Sequence, residues 1–360
     1  MIMDLLYISP VVPAVTGNGL AMRAGMVLEA LAARHSVSLL VNPLYPPIGP
    51  VPEFFARMCW RVAMSPDAYR GVHFDVVHVF RLASLPSARP FLNGSARHHL
   101  DIDDIESETH QRLAALCQSN GDISLAFMEK HLASRSAALE AEALPTFERV
   151  YVCSALDREK LTAKPIGGEI CILPNSVRLP AAVPPRLPAG PFLFVGTLGY
   201  YPNEDACRYL RNEIAPRLPD FEFQIIGTGA TDRLRRLISH PAIRIIGEVP
   251  HVDVWYHNAA AVLAPVRAGG GTRIKVLEAF SFQRPVITTT VGLEGIDARH
   301  DESILVADTP EEFAEACQRL RHDPGLGERL AGNAFSLLNR FYSAEATKGT
   351  IAALPWPPSH

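Results

Sequence analysis

Apolar and polar residues alternate in blocks along this chain of 360 residues. The blocks switch between short runs typical of buried strands and the three-to-four spacing of amphipathic helices. DLLYIS, residues 4–9, predicts a strand, and Leu20, Ala24, Val27, Leu28 and Leu31 then repeat on one helical face. VSLLVNP and FDVVHVFR (74–81) predict two more strands, the second carrying His78 and Arg81 toward a strand-end cleft. Between them a proline-rich stretch from Leu44 leads into FFARMCW, where Phe54, Phe55, Met58, Cys59 and Val62 predict an amphipathic helix of modest length. Packing on its own domain is the first reading of that face, and contact with an apolar acceptor or a membrane surface the second. A helical region over 108–144 and strands at 149–154 (RVYVCS) and 169–174 (EICILP) follow.

ILPNSV then runs into a segment with five prolines between Pro180 and Pro191, a stiff connector that places a domain boundary. Beyond it the alternation restarts: FLFVGTLGY, helix NEDACRYLRNEIAPRL, strands FEFQIIGTG and IRIIGEV, and the short helix HVDVWYHNA. The last strand is SILVAD (303–308), Pro310 opens a helix, and GLGERLAGNAFSLLNRFY forms the final substantial one. Two α/β runs with a break between them predict two Rossmann-like halves facing a cleft.

One stretch carries the most chemistry. An apolar run at 261–266 stops at Gly269, Gly270 and Gly271, a helical pattern follows over 272–282, and a second apolar run begins at Pro285. Three glycines admit a ligand to the backbone, and the free N–H groups of a helix start favour an anion such as phosphate. Arg273 and Lys275 lie in the same turn and suit a diphosphate. Ile274, Leu277, Glu278 and Ser281 share a face, so the Glu278 carboxylate needs a partner, either sugar hydroxyls or an arginine from elsewhere. In the first half, Gly17 and Gly19 offer a similar close approach. The carboxylates of LDIDDIES gather at a strand end, with Asp101 and Asp103 on one side. They suit a divalent ion, a base or a helix cap; capping is the reading for Asp104, Ser107 and Glu108, while Asp103 is held as functional.

Composition narrows the partners. Apolar residues make up 48% and charged residues 20%, the balance of a globular chain, and a net charge of −4 gives no basic face for nucleic acid. No apolar run approaches the roughly 20 residues that span a bilayer, and Met1 to Asp4 contain no basic lead into a cleavable signal, so the expected compartment is the cytoplasm. The six cysteines show no metal-ligand or redox spacing and are expected to be reduced and structural.

Taken in order, PVVPAVTGNG, FDVVHVF, LDIDDIES, VCS, ILPNSV, FVGTLGYYPN, QIIGTG, IRIIGEV and GGGTRIKVLEAFSFQRPVITTTVGLEGI resemble glycosyltransferase family 4 over nearly the whole chain. The GGTR-K-LEA segment marks a branch of it. The resemblance implies a GT-B fold: an acceptor domain over 1–180, a proline-rich linker at 181–190, a nucleotide-sugar domain over 191–342, and a segment at 343–360 crossing back to the first domain. It implies a retaining transferase that takes a nucleotide-diphosphate sugar as co-substrate, with no metal and no further cofactor. The diphosphate would lie on the backbone from Gly269 to Thr272, the ribose on Glu278, and the base beside Ile246, Gly247 and Glu248. Gly17 and Gly19 would close over the phosphates, with Gly196, Thr197, Asn203 and Gly227 in the donor site. The acceptor is open, with peripheral contact at the inner membrane face through the first domain as one route to it.

Three positions depart from the family pattern. Its sugar-holding glutamate falls at Gly270, its strand-end histidine at Asp103, and its arginine and lysine after FVG at Thr197 and near Asn203. Asp103 would still hydrogen-bond a hydroxyl, and Arg273 and Lys275 would supply the missing charge. A nucleotide-sugar epimerase and a non-catalytic sugar-nucleotide binder are the alternatives.

Overall fold

The computed structural model describes residues 2–43, 49–92, 94 and 96–354. The start of the proline-rich stretch, 44–48, and the end of the last segment, 355–360, lie outside them.

The first half forms a seven-stranded parallel sheet ordered β3-β2-β1-β4-β5-β6-β7. Its strands are β1 (Asp4–Ser9), β2 (Ser36–Val41), β3 (Arg61–Ala63), β4 (Val76–Phe80), β5 (Arg97–Asp103), β6 (Arg149–Val152) and β7 (Glu169–Ile172). Its helices are α1 (Gly19–Ala32), α2 (Glu53–Ala56), α3 (Leu85–Ala88), α4 (Glu106–Ser119), α5 (Ile123–Ala143) and α6 (Ala155–Thr162).

The second half forms a six-stranded parallel sheet ordered β10-β9-β8-β11-β12-β13. It contains β8 (Phe192–Val195), β9 (Phe223–Ile226), β10 (Ile243–Gly247), β11 (Ala261–Ala264), β12 (Val286–Thr288) and β13 (Leu305–Val306). The helices are α7 (Tyr201–Tyr209), α8 (Asp232–Leu237), α9 (Asp253–Asn258), α10 (Ile274–Ser281), α11 (Thr290–Leu293), α12 (Pro310–His322) and α13 (Pro324–Phe341). A last helix, α14 (Ala344–Ala353), lies on α1 of the first half. There Thr347 Oγ1 donates to Ser176 Oγ at 2.6 Å, Lys348 pairs with Glu29 at 3.0 Å, and Ile351 joins the first-half core.

In both sheets the order reverses beside the first strand, where doubly wound sheets open a crevice at their strand ends. Strands buried on both faces explain the unbroken apolar runs: β8, β11 and β12 are buried at every residue.

Three expected elements differ. The helical region over 108–144 is an antiparallel hairpin, because Asn120 ends α4 and Gly121 takes φ 79°, a left-handed turn that stops a helix. The FFARMCW helix is a single turn, α2. Phe55 is buried there, whereas Val62 pairs with Leu39 in edge strand β3 and Trp60 is exposed. His78 does not reach the cleft: it is fully buried against Tyr7, His99 and Tyr151, and burial lowers its pKa to about 3.

Candidate active site

The loop after β11 and the start of α10 present a run of backbone donors. Among the described residues no protein acceptor takes the amides from Gly269 to Lys275. Gly269 and Gly271 take φ of 126° and 62°, conformations open to glycine. Thr272 is 7% exposed and its Oγ1 has no partner, adding a hydroxyl to the same turn.

Two neighbours of this turn carry shifted charges. Lys275 Nζ donates to Asn203 Oδ1 at 2.6 Å and lies 4.3 Å from the centre of the Phe194 ring. A Cβ on Gly196 would stand 2.9 Å from that Nζ, so Lys275 occupies the end of β8. Burial lowers its pKa to about 8. Glu278 accepts from Tyr256 Oη at 3.2 Å, and burial raises its pKa to about 7. Its protein partner is thus a tyrosine on α9, not the arginine expected as one alternative.

Arg273 departs from expectation. Its guanidinium folds back onto the carbonyls of Gly270 and Gly271 and reaches Val291 O at 3.4 Å, so it braces the loop. Those carbonyls engage Nη1, while the buried Nε has no partner among the described residues.

The first half closes over the glycines. A Cβ on Gly19 would lie 3.0 Å from Ile274 Cδ1, and one on Gly17 would meet nothing within 4 Å. A Cβ on Gly270 would overlap Thr109 Oγ1 and Asp104 Oδ2, so the side-chain position empty in sequence is taken by groups from α4 and the turn before it. Asp104 accepts from Arg81 and from Thr109 Oγ1; Ser107 bonds Glu140, and Glu108 pairs with Lys160 at 3.1 Å. The N-cap position of α4 is Ile105 with no side-chain cap bond, so the capping role expected of Asp104, Ser107 and Glu108 is not realised.

Asp103 follows a register break in β5, takes φ 62°, and faces Gly271. Its Oδ1 accepts from Cys153 Sγ at 2.9 Å and Asn175 Nδ2 at 3.2 Å, while Oδ2 lies 3.4 Å from Arg81. Burial raises its pKa against the lowering effect of Arg23 and Arg81. Asp101 is wholly buried on Arg23 at 2.7 Å, and the same guanidinium lies 3.6 Å from Asp103, so the two carboxylates share one arginine. Among the described residues no group of three His, Cys, Asp or Glu side chains is placed to hold a metal.

Gly227 packs so tightly that a Cβ would overlap Gly196 O, Thr197 O accepts from Asn203 Nδ2 at 2.9 Å, and Glu248 is exposed beside Gly247. Sequence reasoning missed Arg23, Tyr256 and Thr109. Arg23 did leave a signal: a charge set among apolar residues in the first half of α1, which must find a partner when buried.

A family model described as glycosyl transferases group 1 matches residues 190–323. The chain aligns with sucrose-phosphate synthase from Thermosynechococcus elongatus at TM-score 0.77 and 15% identity, over 97% of each chain. It aligns with Anabaena HepE, solved with UDP and glucose, at 0.71 and 12%, over 97% of this chain and 98% of that one. The architecture is the GT-B fold of glycosyltransferases. Among curated proteins, an uncharacterized 44.6 kDa protein in the cps region of Klebsiella pneumoniae is 25% identical over 44% of each chain. A glycosyltransferase 1 domain-containing protein of Xenopus tropicalis is 26% identical over 31% of this chain and 33% of its own. The chain thus matches less than half the length of either curated relative. Among the described residues of this GT-B protein no helix is long and apolar enough to cross a membrane.

Proposed function

We propose that this chain is a retaining glycosyltransferase that moves a sugar from a nucleotide-diphosphate sugar to an acceptor bound on its first half. The observation that carries the reading is the run of unaccepted amides from Gly269 to Lys275, with the Lys275 ammonium beside it. Backbone donors and a cation in neighbouring turns suit a leaving diphosphate, whose charge grows as the glycosidic bond breaks. Glu278 would accept from ribose hydroxyls alongside Tyr256. Asp103, held by Cys153, Asn175 and Arg81, would orient a hydroxyl of the transferred sugar. The group 1 match over 190–323 supports the class, and HepE's complex with UDP and glucose supports a nucleotide donor.

The test is a thermal-shift panel of nucleotide sugars, because a ligand that binds only the folded state raises the melting temperature. Hits are then incubated with and without sugar acceptors, and the anomeric configuration of product is read by NMR. The expected result is donor-dependent stabilisation and acceptor-dependent transfer with the configuration kept. Donor turned over to an isomer without acceptor would instead identify an epimerase, and a panel with no shift would refute the reading.

A further inference from the structure

Four strand ends form one row in the second half. In the sheet order, β10, β9, β8 and β11 are neighbours, and they end at Gly247, Gly227, Gly196 and the Gly269 loop. Side chains are absent along this floor, yet one cation stands over its inner strand β8 and another over its β10 end. Lys275 Nζ lies on Gly196, and Arg235 Nη2 lies where a Cβ of Gly247 would be, 2.6 Å from that position. Adjacent strands are about 4.8 Å apart, so the β11 loop and the β10 end are roughly 14 Å apart along the row. Glu278 and Tyr256 flank it, Tyr256 on the helix that follows β10.

Arg235 is itself held in place. Its Nη1 donates to Ile245 O at 2.9 Å, at a break in the β9–β10 register, and Gly247 takes φ 88° there. Such a bulge re-aims the chain, and the missing Cβ lets the guanidinium lie on the backbone. Among the described residues Ile245 O is the acceptor that Arg235 uses, and no carboxylate lies within ion-pair distance of it. Pinning the bulge needs one nitrogen. Nε and Nη2 remain as a fork that can only donate.

We propose that Arg235 reads the nucleobase and selects one bearing an exocyclic carbonyl, as uracil and guanine do, over adenine. The inference rests on the function proposed above, since it needs a diphosphate at the β11 loop to set the base at the far end of the row. A donor-only fork is met by carbonyl oxygens, whereas adenine places an amino group, another donor, at the same edge. The guanidinium is also planar and always charged, so it keeps this preference across the working pH range.

The test is isothermal titration of wild type and Arg235→Met with UDP, GDP, ADP and inorganic pyrophosphate. Wild type should bind UDP or GDP about tenfold or more tighter than ADP, the discrimination typical of an arginine on base acceptors. Arg235→Met should fall to the ADP level for all three nucleotides, with pyrophosphate affinity unchanged. The base comparison on unaltered protein keeps the proposal testable if the variant disturbs the bulge. ADP binding as tightly as UDP and GDP to wild type would overturn it, as would equal losses for pyrophosphate and nucleotides in the variant. Those outcomes leave the diphosphate site standing, whereas failure of all four ligands to bind wild type would remove both proposals.

Discussion

Replacing Lys275 with methionine removes one charge while keeping most of the stem over Phe194, and the structure sets what should follow. The ammonium touches Asn203 Oδ1 at 2.6 Å and, among the described residues, has no carboxylate within ion-pair distance, so its charge is available to an incoming phosphate. A charge-assisted hydrogen bond contributes about 1.5–3 kcal/mol, so Lys275→Met should weaken a nucleoside diphosphate by roughly ten- to a hundredfold. The parent nucleoside should lose nothing. Acidity gives a second reading of the same contact. Burial brings the lysine to about pH 8, so the charged form that binds phosphate is present below that value and lost above it. Wild-type diphosphate affinity should therefore fall as pH rises through about 8, and the variant should show no such step there. Without ligand the sign reverses: between about 8 and the ordinary 10.5 the unfolded chain holds the extra proton, so stability should rise with pH across that window. Isothermal titration at several pH values and thermal melts of the free protein measure both. Equal losses for nucleoside and diphosphate, or a step at pH 8 surviving in the variant, would refute the placement of Lys275 on the phosphate.

Glu278→Gln should weaken ribonucleotides by about 1–2 kcal/mol, because an amide accepts from hydroxyls less strongly than a carboxylate. Deoxyribose analogues should separate less between variant and wild type, and the same titration reads this. Gly270→Ala places a methyl on Thr109 and Asp104, so the halves must part or the loop must shift. Small-angle scattering should show a larger radius, or melting a fall of about 1–3 kcal/mol, the usual cost of overpacking. Arg284 is buried and donates to carbonyls of Tyr256, Phe282, Gln283, Pro184 and His257. Arg284→Met should cost about 3 kcal/mol or more in denaturant unfolding, since several buried acceptors lose their donor at once.

Much of the fold was legible because it rests on local pattern. Apolar runs of four to six residues marked β1, β2, β4, β8 and β11, and Pro310 marked the start of α12, which Thr309 caps by accepting from Glu312 N. The FFARMCW helix misread had a physical cause: an apolar stretch of that length fits a helix face or a turn feeding an edge strand, and pairing with β2 decided it. The glycine loop and Lys275 were legible for the same local reason, a glycine run feeding a helix. Arg273 was not, because whether a guanidinium faces a ligand or its own loop depends on the carbonyls that the glycines turn inward. Thr109 and Asp104 over Gly270 were illegible too, since no spacing links residues more than 150 positions apart.

That last contact bears on how a donor enters. The hairpin of α4 and α5 is also bound to the second half beyond the glycines. Asn120 Nδ2 donates to Asp205 Oδ1 at 2.7 Å, Tyr201 Oη donates to Asp122 Oδ2 at 2.6 Å, and Arg112 reaches Glu294 and the Gly269 carbonyl. Asp205 is itself buried beneath Arg267, whose Nη2 lies 2.6 Å away. Most of these bonds end on carboxylates and contribute about 1.5–3 kcal/mol each, and Leu113 and Leu116 of α4 add a small apolar contact with Ala268 and Tyr201. Polar bonds around a small apolar cluster therefore tie the α4–α5 hairpin to the Gly269–Gly271 loop, so any parting of the two halves must move the hairpin off that loop.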